Sequence, residues 1–318
     1  MNALPISVVT GFLGSGKTTL LSHLLRDPAL ARTAVIVNEF GEIGLDHLLL
    51  EASDEEVVLL DGGCLCCKVR GDLVRTAGEL LARRARGDAA FDRIVVETTG
   101  LADPAPILHA LMTDREIAHA LRLESVIATV DCAVGEATLD AHPESVKQAA
   151  LADRIVLTKT DLADSSALAE RLRRLNPAAP QLTALHGAVD PGLLFNASVY
   201  EPRLYESHAH SDEVMSFCLR RSEPLHAVTL SLVLQVLAEH CGPKLLRLKG
   251  LVDVLESPGR PAVIHGVQHV FHPPAWLDAW PDDDRTTRIV VIAQGLDAGW
   301  LQDLIEVLDD EVTACSIS

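Results

Sequence analysis

From Leu4 to about Phe195 the chain alternates short, wholly apolar runs with longer stretches whose apolar residues recur every three or four positions. Short runs rich in Val and Ile read as strands buried on both faces, and the 3.6-residue period reads as helix. The strands expected are 6–9, 34–37, 57–60, 94–96, 126–130, 155–157 and 181–184. Between them, 17–25, 72–84, 105–120, 145–152 and 165–175 read as helices. Such alternation implies βαβ units, and therefore an α/β domain built on a mostly parallel sheet with helices on both faces.

The pattern changes after Phe195-Asn196. The stretch from Tyr205 to Asp212 is polar and aperiodic and reads as a linker. Beyond it come a strand near 214–219, a helix near 229–240, strands near 245–255, 262–271 and 289–293, and a last helix near 298–308. That order suggests a smaller α+β domain with an antiparallel sheet. The organisation expected is thus a domain over 1–204, a linker over 205–212 and a second domain over 213–318.

Composition narrows the function classes. A chain of 318 residues, 48% of them hydrophobic and without an apolar run of transmembrane length, reads as a globular protein. The first twelve residues lack the basic region and cleavage site of a signal peptide, which points to the cytoplasm and to reduced thiols. A formal net charge of -18 would repel nucleic acid and anionic lipid, so neither is an expected partner. The one dense acidic run, Asp282-Asp283-Asp284, follows a proline and reads as a solvated loop.

Candidate chemistry sits at three predicted strand ends. Gly11-Phe-Leu-Gly14-Ser15-Gly16-Lys17-Thr18 fits the P-loop pattern between a strand and a helix. Its glycines let backbone N–H groups close around phosphates, Lys17 reaches the β/γ oxygens, and the Thr18 hydroxyl can ligate magnesium. The run 93–97 is an apolar strand closing on Glu97, followed by Thr-Thr-Gly100. In P-loop NTPases that position holds the second acid of the magnesium site and a glycine able to sense the γ-phosphate. Thr158-Lys159-Thr160-Asp161 follows a third strand. An aspartate there can accept from guanine N1–H and the exocyclic amine, a donor pair adenine lacks. The familiar guanine motif begins with Asn, and Thr158 departs from it.

Cys64, Cys66 and Cys67 fall within four consecutive positions of a chain with seven cysteines. A disulfide is disfavoured by a reducing compartment and by the strain of bridging adjacent residues. A redox sensor and small buried hydrophobes stay open as readings. Soft thiolates best suit a transition metal, and three of them leave one tetrahedral position free, as suits metal that must leave again. His208 and His210 share one side of an extended segment and could pass metal inward or merely be solvated. His265, His269 and His272 lie on one strand-like run, the first two with matching parity, and read as packing or surface residues. Cys132, Cys218, Cys241 and Cys315 are isolated, and Trp276 and Trp280 read as packing anchors.

The segments TGFLGSGKTTLL, VNEFGEIGLD, GGCLCC, VVETTGLADPAPI, ADRIVLTKTDL, KLLRLKG and GVQH together resemble the CobW family of P-loop GTPases, the YjiA-like members in particular. The resemblance covers nearly the whole chain and implies the P-loop NTPase-type fold, GTP binding with slow hydrolysis, and delivery of zinc or cobalt to a client protein or cofactor pathway. Carried onto this chain, it implies that Gly11, Leu13, Gly14, Ser15, Gly16, Lys17, Thr18 and Thr19 hold phosphate. Thr18 and Glu97 would serve Mg2+, and Thr158, Lys159 and Asp161 the base. A switch loop would run from Asn38 and Glu39 to Asp46 and act with Gly100. Cys64, Cys66 and Cys67 would bind the transition metal. Some relatives carry a glutamate immediately before the Asn of NEFGE, where this chain has Val37, so this site would use Glu39, Glu42, water or only its thiolates. Lys17 and Glu97 are the catalytic candidates. Leu101 stands where Ras-like enzymes place a water-orienting glutamine, which agrees with slow turnover. Two rival readings are a P-loop small-molecule kinase with structural cysteines and a non-catalytic metal buffer.

Overall fold

The computed structural model describes the backbone of residues 3–38, 57–60, 66–195, 208–210, 214–296 and 298–316, and the side chains of all these except 38, 57–60, 66–70, 208–210 and 316. The chain divides into two compact units, the first formed by 1–173 with 179–199 and the second by 174–178 with 200–318.

In the first unit seven strands form one parallel sheet. They are β1 (Leu4–Gly11), β2 (Thr33–Asn38), β3 (Val57–Leu60), β4 (Arg93–Glu97), β5 (Leu121–Asp131), β6 (Arg154–Thr158) and β7 (Gln181–Ala184), in the order β3-β2-β4-β1-β5-β6-β7. The helices are α1 (Lys17–Leu24), α2 (Cys66–Arg86), α3 (Ala105–Thr113), α4 (Gly135–Ala141), α5 (Pro143–Leu151), α6 (Ser166–Leu175) and α7 (Pro191–Phe195). The path steps one way across the sheet from β1 to β3, then the other way from β3 to β7 apart from the strands already laid. Because parallel crossovers are right-handed, α1 lies on one face and α2, α3, α5 and α6 on the other. The core agrees: Leu20, Leu21 and Leu24 of α1 and Leu194 and Phe195 of α7 pack on Val9, Val35, Val95, Ile127 and Val156 from one face. The central strands β1, β2, β4 and β6 are buried on both faces, which is why they read as continuous apolar runs.

All seven expected strands are present, and the helices differ in extent. The helix expected from Asp72 begins at Cys66, with Gly71 inside it rather than before it. A glycine in a helix interior costs only about 1 kcal/mol, which a helix of 21 residues tolerates. The helix expected to reach Ala120 stops at Thr113, where Asp114 turns extended and its carboxylate accepts from Glu116 N–H at 3.0 Å. The short helices α4 and α7 were absent from the sequence expectation.

In the second unit β8 (His208–His210), β9 (Val214–Arg221), β10 (Leu245–Val252), β11 (Ala262–Val267), β12 (Val270–Phe271) and β14 (Thr287–Ala293) form an antiparallel sheet in the order β12-β11-β10-β14-β9-β8, and β13 (Ala275–Trp276) also pairs with β11. Helices α8 (Ala227–Val236) and α9 (Ala298–Ser316) bury Leu230, Val233, Leu301 and Ile305 against Phe217, Leu219, Leu248, Ile264, Ile289 and Val291. Strand β8 falls within the stretch expected as linker. The single strand expected over 262–271 is a hairpin, because Gln268 turns the chain with φ of 53°. His269 therefore sits at the turn, and it is His265 and His272 that meet, ring centroids 5.8 Å apart. The acidic run is not simply solvated: Asp282 grips the buried Arg288 guanidinium bidentately at 3.0 Å, and Asp284 pairs with Arg220. Trp280 stacks against Arg288, while Trp276, on β13, is 44% exposed.

Candidate functional site at the strand ends

Open parallel sheets bind ligands beyond the carboxyl ends of their strands. Here four adjacent strands, β4, β1, β5 and β6, each deliver a polar group at that end, and the strand order brings the groups together.

The loop after β1 runs from Gly11 to Gly16, and α1 starts at Lys17. Gly11 is required by space: a Cβ there would lie 2.3 Å from Thr129 Oγ1 and 2.5 Å from Thr129 O. Gly14 and Gly16 adopt φ of 70° and 90°, the left-handed region that favours glycine. Among the described residues nothing approaches within 4 Å of where a Gly14 Cβ would stand. Ser15 is buried, its hydroxyl 2.6 Å from Thr129 Oγ1 on β5. Lys17 is largely buried and folds back over its own loop, donating to Gly11 O at 2.9 Å and Phe12 O at 3.1 Å.

Glu97, buried at the end of β4, accepts from Thr18 Oγ1 at 2.8 Å although 79 positions separate them. The hydroxyl and the carboxylate form a pair of hard oxygen donors that fits Mg2+. Gly100 follows in a turn closed by Ala102 N–H donating to Thr99 O at 3.1 Å. It lies against the P-loop so closely that a Cβ would fall 2.6 Å from Leu13 N. Thr99 is buried in the same turn.

From β6, Thr158 is buried and its hydroxyl donates to Ser15 O at 2.8 Å and Val130 O at 3.2 Å, tying the P-loop to the sheet. Lys159 takes a left-handed φ of 54° and its ammonium contacts Asp131 at 2.6 Å. Asp161 is exposed, its carboxylate free to receive donors from outside the protein. Thr19 lies in the first turn of α1.

The expected nucleotide residues Gly11, Leu13, Gly14, Ser15, Gly16, Lys17, Thr18, Glu97, Gly100, Thr158, Lys159 and Asp161 thus stand on neighbouring loops. Leu13, Leu101, Val134 and Leu162, one from each of the four loops, are exposed aliphatics at the same end of the sheet. Sequence reasoning passed over Asp131, although the run ESVIATVD carries the same signal as RIVVE. The neighbouring Cys132 thiol is pushed up by burial and by the Asp131 carboxylate, and stays protonated.

Of the switch and metal candidates, Glu39, Glu42, Asp46 and Cys64 fall outside the described residues, and Asn38, Cys66 and Cys67 are described by backbone alone, closing β2 and opening α2. Among the described residues no three His, Cys, Asp or Glu side chains cluster so as to hold a metal ion. No described helix is long and apolar enough to cross a membrane.

Comparison with known proteins agrees with this arrangement. The CobW/HypB/UreG nucleotide-binding domain matches residues 5–183, and the C-terminal domain of the cobalamin synthesis protein cobW matches 214–308. The chain is 34% identical to the zinc chaperone YjiA of Escherichia coli over 92% of its own length and 94% of the relative's. It is 35% identical to the zinc chaperone CobW of Pseudomonas aeruginosa over 92% and 88% of the two chains. The crystal structure of the Zn(II)-bound YjiA GTPase from E. coli superposes with a TM-score of 0.73 at 28% identity, covering 97% of this chain and 99% of that one.

Proposed function

The chain belongs to the CobW/HypB/UreG family, and from that premise we propose that it is a slow, Mg2+-dependent GTPase that carries a transition metal, zinc first, and gives it up to a client in step with hydrolysis. The observation that carries the nucleotide half of this reading is the 2.8 Å contact between Thr18 and Glu97, which joins the P-loop helix to the end of the neighbouring strand. Bound magnesium would neutralise charge on the phosphates there. Lys17 exchanges its two carbonyl acceptors for phosphate oxygens, Gly14 leaves the backbone N–H groups open, and Asp161 accepts from the guanine edge. Leu101 stands where Ras-like enzymes place a water-orienting glutamine, so intrinsic turnover is slow and a client or metal supplies what is missing.

The metal half rests on Cys64, Cys66 and Cys67 with Glu42 or Glu39, by the family resemblance and by the names of the relatives. Support from the fold is positional. The helix that opens with Cys66 and Cys67 follows the strand beside β2, and β2 lies next to the Glu97 strand, so a change at the γ-phosphate end has a short route to the thiolates. The same reading places the protein in the cytoplasm, with GTP, GDP, the metal ion and an unidentified client as partners.

Coupling is the test. If a GTP analogue tightens zinc binding, zinc must tighten binding of the analogue by the same factor. Competitive zinc titrations with and without a non-hydrolysable GTP analogue, on the wild type and on Cys66→Ala/Cys67→Ala, should show a tighter zinc site with nucleotide in the wild type only. Equal zinc affinity in all four samples would overturn the metal reading and leave GTP hydrolysis standing.

A further inference from the structure

Gln148 lies in the middle of α5 and only 1% of it is exposed. Its side-chain amide donates twice into the turn after β4, to Gly100 O at 3.1 Å and to Ala102 O at 3.0 Å. Its Oε1 is buried and has no hydrogen-bond partner among the described residues. The side chain lines a small cavity of about 20 Å³ together with Ser15, Thr129 and Thr138, directly beneath the P-loop.

A Met or Leu of similar volume would fill the same space with no polar atom to desolvate. A residue retained only for packing has no reason to be an amide here. What the amide does, and an apolar side chain cannot, is hold two carbonyls of one turn at once. Those carbonyls flank Leu101, and the first belongs to the glycine pressed against Leu13 of the P-loop. With its carbonyl held by Gln148 and its Cα seated against Leu13, Gly100 has little freedom to rotate. The adjacent Lys147 pairs instead with Asp103, beyond this turn, its ammonium 2.9 Å away. Asp103 is itself committed to Ala105 N–H at 2.9 Å, the start of α3.

We propose that Gln148 is a positioning residue for the γ-phosphate: by clamping the carbonyls of Gly100 and Ala102 it presets the turn whose backbone distinguishes GTP from GDP. The proposal rests on the GTPase reading above. It places the control of nucleotide state partly in α5, a helix that carries none of the family motifs and contributes no group to the phosphates.

The test separates positioning from folding. Affinities for GDP and for a non-hydrolysable GTP analogue are measured by titration calorimetry on the wild type, Gln148→Met, Gln148→Glu and Lys147→Met, with kcat and KM for GTP alongside. The Met variant should keep its GDP affinity within about twofold and lose about tenfold of its preference for the GTP analogue, with kcat falling further than KM rises. The Glu variant, which sets a carboxylate against two carbonyls, should lose more. Lys147→Met should hold the wild-type preference within about threefold, since it leaves both Gln148 bonds intact. A parallel loss of GDP and analogue affinity in Gln148→Met, or no change in either, overturns the proposal. Should the Met variant not fold, 15N shifts of Gly100 to Ala102 and of the Gln148 side-chain amide in the wild type decide instead. They must move together when the analogue replaces GDP, and unmoved shifts overturn the proposal. A wild type that binds neither nucleotide defeats the GTPase reading itself, a distinct outcome.

Discussion

Thr158→Val removes one hydroxyl and changes almost nothing else, since the two side chains have nearly the same shape. That hydroxyl donates to Ser15 O at 2.8 Å and Val130 O at 3.2 Å, and Thr158 and Ser15 are both buried. Without it the Ser15 carbonyl, in a buried residue of the P-loop, loses a donor. An orphaned buried acceptor costs about 1–3 kcal/mol. For a unit of this size, 1 kcal/mol moves the melting temperature by about 2–4 °C, so the transition of the first unit should fall by about 2–12 °C. On the proposed function the loop is also the phosphate cradle, so the loss should show in ligand binding. GDP at a hundred times its Kd stabilises by about 2.7 kcal/mol, and a tenfold weaker variant at the same concentration retains about half of that. Thermal melts with and without saturating GDP therefore give two readouts from one sample. Thr158→Ser keeps the hydroxyl and should melt within a degree or two of the wild type, with a full GDP increment. A Val variant that melts with the wild type and keeps the full increment would refute the claim that Thr158 holds the loop.

Two further outcomes concern the second unit. The His272 imidazole is held below its ordinary pKa by burial first and by the Arg247 guanidinium second, so it folds neutral and the unfolded chain binds the extra proton. Its contribution is therefore lost as pH falls below about 6.5, and His272→Gln should flatten the decline in melting temperature between pH 7.5 and 5.5; identical slopes would contradict this. Asp282→Asn removes the charge facing the buried Arg288 while keeping the shape of the bidentate contact, and urea unfolding should show a loss of about 1–2 kcal/mol, discounted because Asp282 is half exposed.

What could be read in advance has a common physical form. Parallel sheets put their chemistry just past the carboxyl ends of buried strands, so a site residue appears as the first polar position after an apolar run. SVVTG before the P-loop, RIVVE before the glycine turn and RIVLT before Lys159 all show it. Asp131 shows it equally and was passed over only because no motif follows it. Where the signal depends on a turn that uses ordinary residues, it vanishes. Gln268 adopts a left-handed φ without the Gly or Asn that marks such turns, so the run 262–271 reads as one strand and the wrong pair of histidines is matched. Gly71 misleads in the opposite sense: it looks like a break, yet the helix runs through it and takes Cys66 and Cys67 into its first turn.

Gln148 is hidden for a deeper reason. In PESVKQAAL a glutamine has the ordinary look of a solvent-facing helical position, and nothing nearby announces chemistry. Its role exists only because β4 is inserted next to β1, so that the turn after β4 falls between the P-loop and the helix that follows β5. The same insertion sets Glu97 2.8 Å from Thr18. Local pattern predicts which strands exist but carries almost no information about which strands are neighbours, since every buried strand of a parallel sheet presents the same apolar face to either side. The residues of a site built within one loop are therefore open to sequence reasoning. Those that work across strand order, as Gln148 does on Gly100, require the sheet to be seen, and it is among them that the control of nucleotide state is to be sought.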